Sequence, residues 1–184
     1  MTEDIFYSVV IPSGREKVVA NCLEALRAQT VAERIEVLLV TPCPEAFGAF
    51  SEDVKVVGVP DLYPPGRMRN LGAEASRGRV LLFIDDDCVP PKEWVEVLAH
   101  ELDDNPEVGM VGCRVENHHD GFLGRCADYC LFSAFQYRDR ADRNLGSAAI
   151  GVRREAFLAA KGFDEELRGS EDWDFSLRLR ECGK

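Results

Sequence analysis

The sequence predicts an α/β fold, a mainly parallel sheet flanked by helices with an α+β portion toward the C-terminus. Three observations carry that prediction. Apolar, β-rich runs recur at FYSVVI (Phe6–Ile11), IEVLLV (Ile35–Val40), VKVVGV (Val54–Val59) and VLLFI (Val80–Ile84). Helical patterns separate these runs, the alternation that joins parallel strands. Two of the runs, VLLFI and IEVLLV, are almost unbroken in hydrophobicity, as strands covered on both faces must be.

Each helix is read from its own pattern. Between the first two strands, REKVVANCLEALRAQ sets Val18, Val19, Cys22, Leu23 and Leu26 on one face. A second helix is expected over roughly Met68 to Arg77, closed by Gly78. A third carries Pro91 in its first turn and is expected to bury Trp94, Val97, Leu98 and Leu102. After Pro106 the pattern loosens: VGMVGCRVE reads as a strand, GFLGRCADYCLFSAF as a helix and LGSAAIGVRR as another strand. No repeat, low-complexity segment or flexible linker divides the chain, so residues 1–184 are read as one domain. The terminal FSLRLRECGK stops one residue past a helix-ending glycine and reads as a truncated end.

Composition narrows the function. With 22 Lys and Arg against 33 Asp and Glu, the net charge is -11. That excludes a broad nucleic-acid surface, which needs clustered cations, so a phosphate-bearing ligand would need a divalent ion beside it. Seven cysteines without a C-x-x-C pair suit reduced thiols and a cytoplasmic location. The N-terminus lacks a basic leader, and no apolar stretch approaches the ~20 residues of a transmembrane segment.

Chemistry is concentrated in two acidic clusters. VLLFI runs directly into Asp85, Asp86 and Asp87, and open α/β sheets bind ligands beyond the carboxyl ends of their strands. Alternation along an extended backbone puts Asp85 and Asp87 on one side and Asp86 on the other. Such a D-x-D pair offers hard oxygens to Mg²⁺ or Mn²⁺, shared with ligand phosphates and waters. As a turn or cap, two aspartates would suffice and the third adds only repulsion. In GSEDWDFSLRLRECG, Ser170 is a candidate N-cap, which places Glu171 and Asp172 in the first turn, where the helix dipole favours acid. The other reading of Asp172 or Glu171 is a general base directed at a hydroxyl. His118 and His119 read as a surface loop, and Cys126 with Cys130 as buried thiols on one helix.

Four blocks, in order, carry a resemblance: SVVIPSGREKVVANCLEALRAQT, RNLGAEASRGRVLLFIDDDCVP, GSAAIGVRREAFLAAKGFDEEL and GSEDWDFSLRLRECG. Over nearly its whole length the chain resembles the family 2 glycosyltransferases of GT-A fold. That resemblance implies an inverting enzyme with a nucleotide-sugar donor, a carbohydrate or glycolipid acceptor and Mn²⁺ or Mg²⁺ as cofactor. It assigns residues 1–105 to the donor and 106–184 to the acceptor and base. By it, Asp85 and Asp86 lie at the nucleotide sugar, Asp87 at the metal and diphosphate, and Asp172 is the base with Glu171 beside it. It further places Pro12, Ser13 and Arg69 near the donor, Gly146 and Ser147 along the donor sugar and acceptor, and the protein in the cytoplasm or at the inner face of the membrane. Trp173 is then either a platform for a sugar ring or a core anchor.

Two segments differ from the family's pattern. IPSGREK lacks the usual Tyr-Asn before its arginine, and VTPCPEAF stands where an acidic segment commonly reads the nucleobase, with Thr41 and Glu45 as the nearest polar substitutes. Two other functions fit parts of the sequence. DDDCV matches a haloacid-dehalogenase-like phosphatase motif, with Asp85 as nucleophile and Asp87 as acid/base, though that motif normally follows the first strand. A catalytically degenerate GT-A module would bind a nucleotide without turnover.

Overall fold

The computed structural model describes residues 6–50, 53–61, 63–117, 121–122, 124–126 and 145–183. The apolar runs form β1 (Tyr7–Pro12), β2 (Ile35–Thr41), β3 (Val54–Gly58) and β4 (Val80–Ile84). All four pair in parallel, β1 lying between β2 and β4, and β2 between β1 and β3. Two later strands, β5 (Met110–Gly112) and β6 (Ala149–Arg153), complete one sheet of order β3-β2-β1-β4-β6-β5. β6 runs antiparallel to both β4 and β5. The sheet is therefore mixed, and a strand from the second half of the chain lies directly beside β4.

Burial on both faces explains the unbroken hydrophobicity of β4. Val80, Leu82 and Ile84 pack in one core with α1 (Glu16–Arg27) and α3 (Trp94–Asp104), while Leu81 and Phe83 enter a second core on the other face. That second core takes in α2 (Pro65–Ala75), α4 (Arg154–Ala159) and α5 (Glu171–Glu181). Its centre is aromatic: Phe163 lies 4.5 Å from Phe175 and 5.2 Å from Phe83, centroid to centroid. These rings fix the start of α5 against the sheet. On α1, Val19, Cys22, Leu23 and Leu26 are buried and Val18 half-buried.

Several boundaries differ from expectation. α2 starts earlier, at Pro65, because proline's missing N–H costs nothing in a first turn. It also ends earlier, at Ala75. Gly72 lets it lie against β1, since a Cβ there would stand 2.2 Å from Val10 Cγ1. α3 begins at Trp94, so its inward residues are Trp94, Val95, Leu98, Ala99 and Leu102, and Val97 is exposed on the opposite face. Ser170 stands at the cap position of α5 without a side-chain capping bond, because its backbone is left-handed (φ 61°) rather than extended. β5 is shorter than VGMVGCRVE predicts, pairing only where it faces β6.

The amino ends of the strands are tied by one carboxylate. Ser8 Oγ donates to Glu36 Oε1 (2.7 Å), the Gly78 N–H donates to Ser8 Oγ (2.7 Å), and the Arg77 N–H and Nε also donate to Glu36. His118, His119, Cys130 and most of GFLGRCADYCLFSAF lie outside the described residues. The described cysteines are free thiols, and no helix among the described residues is long and apolar enough to cross a membrane.

Candidate active site

The carboxyl ends of β1 and β4 and the start of α5 enclose a cleft of about 710 Å³. β4 stops where Asp85 donates its N–H to the Ala148 carbonyl (3.0 Å), and the Cys88 N–H then bonds back to the Asp85 carbonyl (3.1 Å). That is a reverse turn, and it sends the three carboxylates in different directions. Asp86 turns inward and is 3% exposed. Its Oδ2 accepts from Ser13 Oγ (2.6 Å) and Arg15 Nε (3.2 Å), and its Oδ1 from Arg15 Nη2. The separation expected of an extended strand is not kept: Asp86 and Asp87 share Arg15 Nη2, Asp85 pairs with Arg69, and all three line the cleft, because the chain has already left the strand for the turn.

Arg69 joins this turn to α5. It is 3% exposed, donating from Nη2 to Asp85 Oδ1 (2.7 Å) and from Nη1 to Glu171 Oε1 (2.9 Å), while its buried Nε has no hydrogen-bond partner among the described residues. Burial pushes the Asp85 carboxyl above its usual range against the pull of Arg69, with Asp87 and Asp86 adding repulsion. The neighbouring Asn70 holds both the N–H and the C=O of Phe163 (2.9 Å each). Gly66 permits the contact, because a Cβ there would lie 3.0 Å from Phe163 Cβ and 3.3 Å from Glu171 Cγ.

Across the cleft, Asp172 is half-buried. Its Oδ2 accepts the Ser147 N–H (3.1 Å) and its Oδ1 the Trp173 N–H (2.9 Å). Gly146 lies beside this contact, and a Cβ on it would come to 3.6 Å from Asp172 Oδ2, an ordinary van der Waals distance. Trp173 lines the cleft and is 41% exposed, while the core-anchoring aromatic of α5 is Phe175.

All ten residues singled out from sequence line this one cleft: Pro12, Ser13, Arg69, Asp85, Asp86, Asp87, Gly146, Ser147, Glu171 and Asp172. Thr41 and Glu45 are not among its described lining. Thr41 is fully buried and accepts the Cys43 N–H (3.2 Å). Sequence reasoning assigned no role to Arg15 or to Tyr63, which packs beneath the Arg67 guanidinium at 3.9 Å. Both sit in loops just beyond strand ends, which was the available signal.

The described lining carries five carboxylates against two guanidinium groups. A diphosphate entering that field would be repelled unless a cation came with it. No set of three or more His, Cys, Asp or Glu among the described residues could hold a metal by itself. Asp85 and Asp87 still suit Mg²⁺ or Mn²⁺, whose remaining positions are commonly filled by ligand oxygens and water. No lysine stands in the described lining to serve phosphatase chemistry.

The model of the family described as "Glycosyl transferase family 2" matches residues 8–158. An uncharacterized glycosyltransferase of Haemophilus influenzae is 29% identical over 182 residues, covering 94% of this chain and 61% of that protein. The pre-mycofactocin glycosyltransferase of Mycobacterium tuberculosis is 30% identical over 193 residues, covering 96% of this chain and 39% of its own length. Among solved structures, Staphylococcus aureus TarS 1-349 in complex with UDP superposes with a TM-score of 0.74 at 20% identity, over 95% of this chain and 54% of that one. The mannosyltransferase PcManGT of Pyrobaculum calidifontis, in complex with GDP-Man and Mn²⁺, gives 0.72 at 16% identity, over 99% of this chain and 54% of that one. The chain thus spans less than two thirds of each of these proteins, from 39% to 61%, and the structural likenesses bear on the fold.

Proposed function

Because the chain belongs to glycosyltransferase family 2, we propose that it moves a sugar from a nucleotide-diphosphate donor to an acceptor hydroxyl, with metal assistance and inversion at the anomeric carbon. One observation carries this reading: the carboxylates of Asp85 and Asp87 in the β4 turn and that of Asp172 converge on one cleft from elements far apart in sequence. Asp172 is the base that takes the acceptor proton. An alcohol is a poor nucleophile near neutrality, and the Ser147 N–H holds the carboxylate in place to activate it. Removing the proton as the hydroxyl attacks opposite the leaving diphosphate gives inversion.

The other residues bind and orient. Asp87 holds Mn²⁺ or Mg²⁺ with Asp85 alongside, and the ion would neutralise charge on the departing diphosphate. Arg69 is a positioning residue, fixing Asp85 at the donor and Glu171 beside the base. Asp86 acts through the Pro12–Ser13 loop that it anchors. Gly146 leaves room along the sugar and acceptor. The UDP and GDP-Man held by the structural neighbours support a nucleotide-sugar donor. The exposed Trp173 supports a carbohydrate or glycolipid acceptor, since an aromatic face can stack on a sugar ring. Residues 1–105 serve the donor and 106–184 the acceptor and base, within one domain. Cysteine usage favours the cytoplasm, with a glycolipid acceptor met at the inner membrane face.

Asp172→Asn tests the assignment. Turnover is expected to fall by about 10²- to 10⁴-fold, the usual contribution of a positioned base, while donor binding by calorimetry persists. Unchanged turnover would remove Asp172 from the mechanism.

A further inference from the structure

The accessible cation of this cleft comes from the loop that departs from the family's pattern. Two guanidinium groups stand among the described lining residues. Arg69 is buried and engaged by Asp85 and Glu171. Arg15 differs: its side chain is 55% exposed, and it forks between two acids of unlike character. Nε and Nη2 grip Asp86, whose side chain is 4% exposed and also bound by Ser13. Nη2 reaches as well to Asp87 Oδ2 (3.2 Å), whose side chain is 56% exposed. The backbone beneath is fixed, because the Arg15 N–H donates to Ser13 Oγ (3.0 Å). Nη2 is therefore shared between a buried carboxylate and the carboxylate assigned to the metal.

We propose that Arg15 is a donor-binding residue that competes with the divalent ion for Asp87 and pairs with the donor's diphosphate. The inference rests on the donor reading above. An exposed Arg–Asp pair is weak, so Asp87 is readily given up. The grip on Asp86 remains and keeps the planar group beside the turn. Among the described residues its hydrogen bonds run through Nε and Nη2, which leaves Nη1 for a phosphate oxygen, the acceptor that a guanidinium fork matches best.

Removing this charge then has opposite effects on two ligands. Arg15→Gln, whose amide can still donate to Asp86, is expected to bind Mn²⁺ alone about two- to fivefold more tightly, because the competitor for Asp87 is gone. The same variant should bind UDP or GDP with saturating Mn²⁺ about tenfold or more weakly, having lost a charge-assisted hydrogen bond. Arg15→Lys keeps a cation on Asp86 without the planar fork. It should bind Mn²⁺ alone as the wild type does, and the diphosphate more weakly.

The experiment is calorimetric titration of the full chain and both variants with MnCl₂, then with UDP and GDP in its presence, alongside melting curves. Opposite shifts in Arg15→Gln support the proposal. If the wild type binds a diphosphate and Arg15→Gln matches it for both ligands, the proposal is overturned while the donor reading stands. Should Arg15→Gln not fold, equal diphosphate binding by Arg15→Lys and wild type overturns it instead. If the wild type binds neither UDP nor GDP with Mn²⁺, the donor reading fails and the role of Arg15 falls with it.

Discussion

Glu36 and the Asp85–Asp87 turn are acidic sites at opposite ends of the same sheet, and the fold treats them in opposite ways. Glu36, at the amino ends of the strands, has a side chain only 9% exposed. Burial alone would push its carboxyl up, but hydrogen bonds from Ser8, the Arg77 N–H and the Arg77 side chain hold it below the usual range. Asp85, at the carboxyl ends, has Arg69 as its charged partner, and there burial prevails. Asp87 beside it is more than half exposed, under the reach of Arg15. A carboxylate whose hydrogen bonds come from the fold is structural. One left short of donors at the ligand-binding end of a sheet is left for a ligand.

The contrast can be broken most severely through Arg69. Arg69→Met would leave Glu171 and Asp85 without their shared cation, and urea unfolding should register a loss of about 3–5 kcal/mol. If stability is unchanged, the bridge between the β4 turn and α5 is not what holds that helix.

Glu36→Gln is the counterpart at the structural end. It should cost about 1–3 kcal/mol at neutral pH, through lost charge-assisted hydrogen bonds. Because the folded carboxyl lies below its unfolded value, this contribution is complete above the ordinary glutamate range of about 4.3 and disappears as pH falls through the lower folded value. Stability curves of wild type and variant should therefore converge in acid. Asp85 has the opposite sign: its carboxyl is raised, so its ionisation weakens the fold as pH rises through that value. The smallest effect belongs to Asp87→Ala, which should change the melting free energy by no more than about 0.5 kcal/mol, as exposed substitutions usually do. A larger loss would make Asp87 structural.

What was legible in sequence followed from local rules. The runs of β1, β2 and β4 were readable because two-sided burial leaves an unbroken apolar signal, and the sheet end then located Asp85–Asp87. The ten site residues converge because strand ends and the start of α5 face one cleft. Less was readable where pairing sets the limits. β5 pairs over only three residues of the longer β6, and α3 begins at Trp94 rather than near Pro91, with Val97 on its exposed face. The Ser8–Glu36–Gly78 node and the reach of Arg15 to Asp86 join residues whose proximity only the folded sheet creates. No spacing rule encodes them.

On the proposed reading, Asp85 and Asp87 of the β4 turn hold a cation together with a nucleotide donor. The most direct test is a thermal-shift series with nucleoside diphosphates and nucleotide sugars, each with and without Mn²⁺, on the wild type and Asp87→Ala. A ligand at 100 times its dissociation constant should add about 2.7 kcal/mol of apparent stability. The account predicts a shift with at least one nucleotide that requires Mn²⁺ and is lost in Asp87→Ala. No shift with any nucleotide, or a shift that survives both metal removal and the substitution, would contradict it.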